Sequence, residues 1–242
     1  MKALHMTNDL TVMNKLARAN SVIDKFINGC SHSMRGPLKT IRGLVNIISE
    51  DNTPEKKSVT ILDLIEKTAS HMENILNQLE QFLENSKKEV KVEQVDIAEI
   101  ISEVQSKYQR ALDQHSIEVT IRIHDKETLL TDKERLKIIL FQIFSNAISF
   151  CDPNKAKRMI LIEARIFNSS FEIAVRDNGV GIEPECSGKI FQLFYRASEK
   201  SKGAGIGLYI VKEIIEKMKG IVSVQSQLSS GSNFLIWLPN LN

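Results

Sequence analysis

Asp177-Asn178-Gly179-Val180-Gly181-Ile182 follows the apolar run Phe171 to Arg176, and Gly203-Ala204-Gly205-Ile206-Gly207-Leu208 leads into a helical pattern. A third glycine segment, Gly231-Ser232-Asn233-Phe234, opens the last apolar run of the chain. Glycines placed where a strand ends and where a helix begins punctuate a mixed α/β fold. Working outward, Met159 to Phe167 and Phe171 to Arg176 flank the turn Asn168-Ser169-Ser170 and read as a hairpin. Val222 to Gln227 and Asn233 to Leu238 read as a second hairpin, and Ile117 to Ile123 alternates with period two as a half-buried strand does. Three helices are expected among them: Ile97 to His115, one capped by Asp132 and running to about Phe150, and Gly207 to Lys219 ending at Gly220. This half of the chain reads as an α/β sandwich with one sheet face covered by helices.

The first 90 or so residues carry a different period. Ile23, Phe26, Ile27, Cys30, Met34, Leu38, Ile41, Val45 and Ile48 recur at spacings of three and four, which at about 100° per residue place them on one stripe. Asp51-Asn52-Thr53-Pro54 breaks that helix and offers a new start, with Thr53 as N-cap and Pro54 at the first helical position. A second stripe follows: Ile61, Leu64, Ile65, Thr68, Met72, Ile75, Leu76, Leu79, Phe82 and Leu83. Two long helices with a short connection make an antiparallel hairpin. One hairpin buries only one seam, so pairing with a second copy into a four-helix bundle is expected. Polar Ser86-Lys87-Lys88-Glu89 reads as the linker, dividing the chain into a helical domain, 1–89, and an α/β domain, 90–242.

Composition narrows the functional classes. The chain has 242 residues, a net charge of +2 and 26% charged residues, an ordinary soluble balance. No basic stripe with interleaved aromatics points to nucleic acid. Cys30, Cys151 and Cys186 are odd in number, widely spaced and without a CxxC pair, which fits a reduced cytoplasmic compartment and no structural zinc. No apolar run approaches the roughly 20 residues that span a bilayer, and the first residues lack the apolar core of a signal peptide. Membrane attachment, if the protein has any, is expected from a region absent from this chain.

The glycine segments suit a nucleotide. Asp177 at a strand end can accept a hydrogen bond from an exocyclic amine such as adenine offers, and Gly179 and Gly181 permit close approach of backbone and base. A lone Asp-Asn-Gly reads first as a strand-ending turn. Gly203-x-Gly205-x-Gly207 before a helix start supplies backbone N–H groups suited to phosphates, although a flexible loop is an equally plain reading. Residues 183–202, with Lys189, Lys200 and Lys202, have the character of a lid. Asn146 lies in the apolar stretch Phe141-Gln142-Ile143-Phe144-Ser145-Asn146-Ala147, where its amide either satisfies a buried backbone group or faces a ligand. Its carbonyl oxygen is a hard ligand of the kind Mg²⁺ accepts beside phosphate and water.

In this order the segments resemble the ATP-binding domain of sensor histidine kinases, part of the wider gyrase, heat-shock chaperone and mismatch-repair ATPase superfamily. The resemblance covers about residues 20–240 and implies a Bergerat-type α/β sandwich after a dimeric helical hairpin. It implies ATP and Mg²⁺ as cofactors. Asn146 matches the N-box asparagine that coordinates the metal, with Phe150 a turn beyond it. Asp177 matches the adenine-reading aspartate of the first glycine box, with Gly179, Gly181 and Ile182. Phe191 and Phe194 resemble the F-box, and Gly203, Gly205, Gly207 and Leu208 the second glycine box. Hydrolases of the superfamily carry a Glu four residues before the asparagine as base for water; here that position is Gln142, an amide without useful basicity. Hydrolysis is thereby disfavoured and transfer to a protein acceptor favoured.

His32, in Cys30-Ser31-His32-Ser33-Met34-Arg35-Gly36-Pro37-Leu38, lies about 180° from the apolar stripe of its helix and should project into solvent. A neutral imidazole nitrogen is a competent nucleophile toward a phosphoryl group. Pro37 leaves the Ser33 carbonyl without its helical partner, so the helix can bend there. His71 lies on the flank of the second stripe without a nearby proline and reads as an ordinary surface histidine. The segment resembles the H-box, which implies His32 as phosphoacceptor and an aspartate of a response-regulator receiver domain as the next acceptor. The phosphate charge would be met by Mg²⁺, backbone N–H groups and Arg196 or a lid lysine. Ser33 stands where the family usually has Glu or Asp to take the imidazole proton, and Gly36 where many members have Thr or Asn. Ser149 and Ala204 depart from a common Lys and a common hydroxyl residue. Slow autophosphorylation and weak phosphatase activity are therefore expected. A degenerate nucleotide-binding dimeric scaffold is the competing reading.

Overall fold

The computed structural model describes residues 26–49, 55–124, 128–198 and 203–241. The expectations for Ile23, for Asp51-Asn52-Thr53-Pro54 and for Lys200 and Lys202 fall outside these residues. Helix α1 occupies residues 26–48 and runs through Pro37 without ending there. Helix α2, Glu55–Lys87, continues two residues, Ser86 and Lys87, into the stretch expected to be linker. Chain contacts divide the protein into two compact units, one ending at Asn77 and the other beginning at Gln78, so the division falls inside α2.

In the first unit, Phe26, Cys30, Ile61 and Ile75 are buried, as their stripes require. The same stripes also carry Ile27, Leu38, Val45, Leu64 and Leu76, all of which remain exposed. A helix pair cannot cover a stripe on both sides, and these residues are the uncovered flank.

The second unit contains β1, Glu93–Gln94; α3, Ile97–His115; β2, Ile117–His124; β3, Leu130–Thr131; α4, Lys133–Ser149; β4, Arg158–Ile166; and β5, Ser170–Asp177. It ends with α5, Pro184–Ser187; α6, Gly207–Lys217; β6, Ile221–Gln227; and β7, Gly231–Pro239. Five strands form one sheet in the order β2-β4-β5-β7-β6. Both expected hairpins are present, Ile166 pairing with Phe171 and Gln227 with Gly231. β2 pairs parallel with β4 from Ile117 opposite Arg158 onward, a crossover that neither strand's own periodicity reveals. Alternate residues of the inner strands, among them Ile160, Ile162, Ile173, Val175, Phe234 and Ile236, are buried together with Ile100, Ile139, Ile143, Ile210 and Ile214 of the helices. That burial leaves the other sheet face to residues such as Glu163, Arg165, Glu172 and Trp237, giving the one-sided sandwich expected.

Local chemistry sets the helix ends. The Asp96 carboxylate accepts from the amides of Ala98 and Glu99 at the start of α3, and Asp132 accepts from the Arg135 amide at the start of α4. α6 is two residues shorter than expected. Its left-handed exit residue is Lys219, at φ 60°, rather than Gly220. Gly220 is there for space: a Cβ would lie 2.5 Å from the Trp237 carbonyl oxygen. A further pairing was not legible beforehand: two-residue β1 and β3 pair through Glu93 opposite Thr131.

Candidate functional site

Asp177 is the last residue of β5 and is buried. Its Oδ1 accepts from the amides of Gly179 at 2.8 Å and Ser232 at 3.3 Å. Burial pushes its carboxyl above the usual carboxylate range, and the two amide bonds and Lys155 oppose that shift without cancelling it. Ser232 comes from the third glycine segment, which therefore helps to build the aspartate site as well as to open a strand.

The glycines around Asp177 answer to this chain's own backbone. A Cβ on Gly179 would lie 2.2 Å from the Phe150 carbonyl oxygen, and one on Gly181, at φ +72°, 2.1 Å from that of Gln227. Gly231, at φ +106°, would strike the carbonyl of Asp177 itself. The Val180 amide donates to the Phe150 carbonyl at 3.0 Å, and the Ser229 amide to the Val180 carbonyl at 2.7 Å. The Ile182 amide donates to Ser226 Oγ, whose hydroxyl donates in turn to the Gly231 carbonyl. Three chain segments are thus knitted behind Asp177, and no side chain other than hydrogen fits between them. Ser226 and Ser232 escaped the sequence reading because a serine in a strand carries no signal of its partner.

The second glycine segment is pinned differently. Gly205, at φ +74°, would place a Cβ 2.6 Å from the Tyr195 carbonyl, and its own carbonyl accepts from the Phe194 amide at 2.9 Å. Phe194 itself sits at φ 63°. Gly207 is the first residue of α6, and a side chain there would collide with Gln142 Oε1 at 2.5 Å. Gly203 meets no atom within 4 Å, so nothing in the chain demands a glycine at that position. Leu208 is half-buried in the first turn of α6. Phe191 packs edge-on against Phe234, with ring centroids 6.4 Å apart, and Lys189 is exposed.

Helix α4 joins these parts. Gln142, Asn146 and Phe150 follow one another at four-residue steps along one side of it. Gln142 adjoins Gly207 at one end, and Phe150, the C-cap, holds the first glycine loop at the other. Asn146 stands between them, half-buried, and its side-chain amide makes no hydrogen bond among the described residues. Gln142 is engaged: its Nε2 donates to Gln81 Oε1 of α2 at 3.3 Å. Among the described residues no three acidic, histidine or cysteine side chains cluster as metal ligands.

His32 lies exposed on α1, with Ser33 beside it half-buried, as the angular argument expects. Gly36 is also exposed, and a Cβ there would enter open space. His71, on α2, is half-buried and has interactions of its own. Cys30, Cys151 and Cys186 are free thiols. No helix among the described residues is long and apolar enough to cross a membrane.

A family model described as the Histidine kinase-, DNA gyrase B-, and HSP90-like ATPase matches residues 131–242. A second, the His Kinase A (phospho-acceptor) domain, matches residues 23–87. The chain is 28% identical over 226 residues to the autoinducer 2 sensor kinase/phosphatase LuxQ of Vibrio vulnificus, covering 88% of this chain and 26% of that protein. It thus spans about a quarter of the length of that relative. Among solved structures, the histidine kinase ThkA in complex with the response regulator TrrA superposes with a TM-score of 0.69 at 20% identity, covering 87% of this chain and 59% of that one. Full-length ShkA in complex with AMPPNP superposes with a TM-score of 0.64 at 24% identity, covering 86% and 44%. Likeness at such identity carries the fold.

Proposed function

This chain belongs to the sensor histidine kinases and carries their ATP-binding transmitter core, and from that membership we propose that it autophosphorylates on His32. In this reading residues 1–89 serve dimerisation and phosphotransfer and residues 90–242 bind nucleotide. The phosphoryl group then passes to an aspartate of a receiver domain in the cytoplasm.

With Oδ1 of Asp177 taken by Gly179 and Ser232, Oδ2 is the oxygen offered to the exocyclic amine of adenine. Phe150, Ile182 and Leu208 contribute apolar surface at the mouth of the same site. The backbone of Gly203 to Gly207 and the start of α6 face the phosphates. Asn146 would hold Mg²⁺, which would neutralise phosphate charge. Nε2 of His32 attacks the γ-phosphorus, the bond from that phosphorus to the bridging oxygen breaks, and ADP leaves with the electron pair. The imidazole proton goes to water, since Ser33 is no base near neutral pH.

The observation that favours transfer over hydrolysis is Gln142. It is an amide, and its side chain is engaged with Gln81 and crowded against Gly207, so it neither activates nor orients water. Incubation with γ-labelled ATP tests the reading. The expected product carries acid-labile, alkali-stable label that is absent from His32→Ala and that chases onto a receiver domain. Steady phosphate release without a phosphoprotein, or label that survives His32→Ala, would overturn it.

A further inference from the structure

The last carbonyls of a helix have no partner within it. In the last turn of α2 and just beyond it, carbonyls are taken by two cations from the ATP-binding domain. Arg135 of α4 donates through Nε to Asn85 Oδ1 at 2.8 Å, through Nη1 to the Glu89 carbonyl at 2.9 Å, and through Nη2 to the Lys88 carbonyl at 2.5 Å. Its Nη1 also pairs with Asp132, the residue that caps α4. Lys217, in the last turn of α6, donates from Nζ to the carbonyls of Asn85 and Lys88, with Ser86 at 3.4 Å. One turn before Asn85 the same face of α2 meets the same helices: Gln81 accepts from Gln142, and the Phe82 ring lies 5.9 Å from that of Tyr209.

Two like charges side by side are unfavourable. Burial and Arg135 both disfavour the charged form of Lys217, while Glu89 and Asp132 favour it. The pair persists because helix-end carbonyls and a buried carboxylate offset that repulsion. In the polar stretch Ser86-Lys87-Lys88-Glu89, the carbonyls of Ser86, Lys88 and Glu89 are held by α4 and α6, the helices that carry Asn146 and Gly207.

We infer that Arg135 and Lys217 are positioning residues of the kinase reaction, locking the end of α2 to the nucleotide-binding helices so that the ATP site turns with α2 instead of pivoting at residues 86–89. The inference rests on the kinase reading above. A domain locked in this way meets its phosphoacceptor from a restricted range of orientations, whereas a freely pivoting one spends most of its time misaligned.

The experiment compares Lys217→Met and Lys217→Arg in the full chain, with Arg135→Lys as a second variant that keeps the charge and loses the fork. Amide exchange over residues 86–91 and trypsin cleavage after Lys87, Lys88 and Lys91 should rise about tenfold in Lys217→Met and return toward the parent in Lys217→Arg. The kcat for labelling of His32 should fall roughly fivefold while KM for ATP stays within about twofold. Arg135→Lys should move in the same direction. A rise in KM at unchanged kcat, a rise in kcat, or unchanged exchange and cleavage would each overturn the inference. Absence of label in the parent protein would sink the kinase reading and the positioning role with it. Unchanged exchange beside normal labelling would sink the clamp alone.

Discussion

The two units of this protein are built to different degrees of completion. From Gln78 onward, apolar residues close on one another: Ile100, Ile139, Ile143, Ile210 and Ile214 are fully buried against a sheet that needs no second chain. Up to Asn77, Phe26, Ile61 and Ile75 are buried but other residues of the same types stand in solvent, with Leu38 50% exposed and Leu64 45%. One unit finishes its core alone; the other presents half of one. A pocket built from Asp177 and tightly packed glycine turns needs a closed core, whereas an open apolar flank is what a hairpin that paired with a copy of itself would present.

Damage to the closed core should have the largest effect. Ile139→Ala should lower the stability of the ATP-binding unit by about 2–5 kcal/mol, because a fully buried aliphatic side chain leaves a cavity when truncated. The measurement is thermal unfolding followed by nucleotide-induced stabilisation, and the midpoint should not depend on protein concentration. A concentration-dependent midpoint would mean that this unit, too, is completed by a partner.

The open seam gives the next effect. Leu64→Glu should weaken self-association about a hundredfold, since a carboxylate is then desolvated at an apolar contact. Sedimentation should show dimers of the parent chain giving way to monomers of the variant at the same concentration, with ATP affinity unchanged. A variant that stays dimeric would place the seam elsewhere on the hairpin.

A smaller effect lies in pH. Burial holds the Asp177 carboxyl above its ordinary range, so it protonates earlier than an exposed aspartate as pH falls. Protonation removes an acceptor from adenine, and ATP affinity should drop by about tenfold per pH unit below that raised value. Stability runs the other way. The folded state binds the proton more tightly than the unfolded one, so Asp177 makes its most favourable contribution at low pH, and that contribution is lost as pH rises through the raised value. Titrating ATP binding and, separately, thermal unfolding as pH is lowered from neutral, beside Asp177→Asn as the pH-insensitive control, checks both signs. Identical pH profiles for parent and variant would remove Asp177 from adenine recognition.

Legibility in the sequence followed the range of the interaction. Asp132 capping α4 and the turn between β4 and β5 depend on neighbours within a few residues, and both could be read directly. The exposed place of His32 followed from angular spacing alone. The parallel pairing of β2 with β4 and the Ser232 bond to Asp177 depend on partners far along the chain. Arg135 is the extreme case. Its partners include backbone carbonyls some fifty residues upstream, which no side-chain pattern announces. The glycines show a third situation. Their positions were legible, but the reason for Gly179 and Gly181 is crowding by Phe150 and Gln227, which only the assembled fold reveals.

The smallest expected effect tests whether the open unit is tuned for chemistry as well as for pairing. Ser33 is half-buried beside exposed His32 and cannot accept the imidazole proton near neutral pH. Ser33→Glu puts a base one residue away, and general-base assistance should speed labelling of His32 by about three- to tenfold, the low end of what such groups contribute. The gain should appear in kcat and leave KM for ATP unchanged, because ATP binds in the closed unit. Glutamate is also the better helix former, so the variant should not cost the hairpin its fold. An unchanged rate would mean that proton removal never limits transfer, and the bottleneck would then lie in bringing the nucleotide to the histidine. That outcome would hand the rate to Arg135 and Lys217, whose hold on α2 sets the orientation of the ATP site.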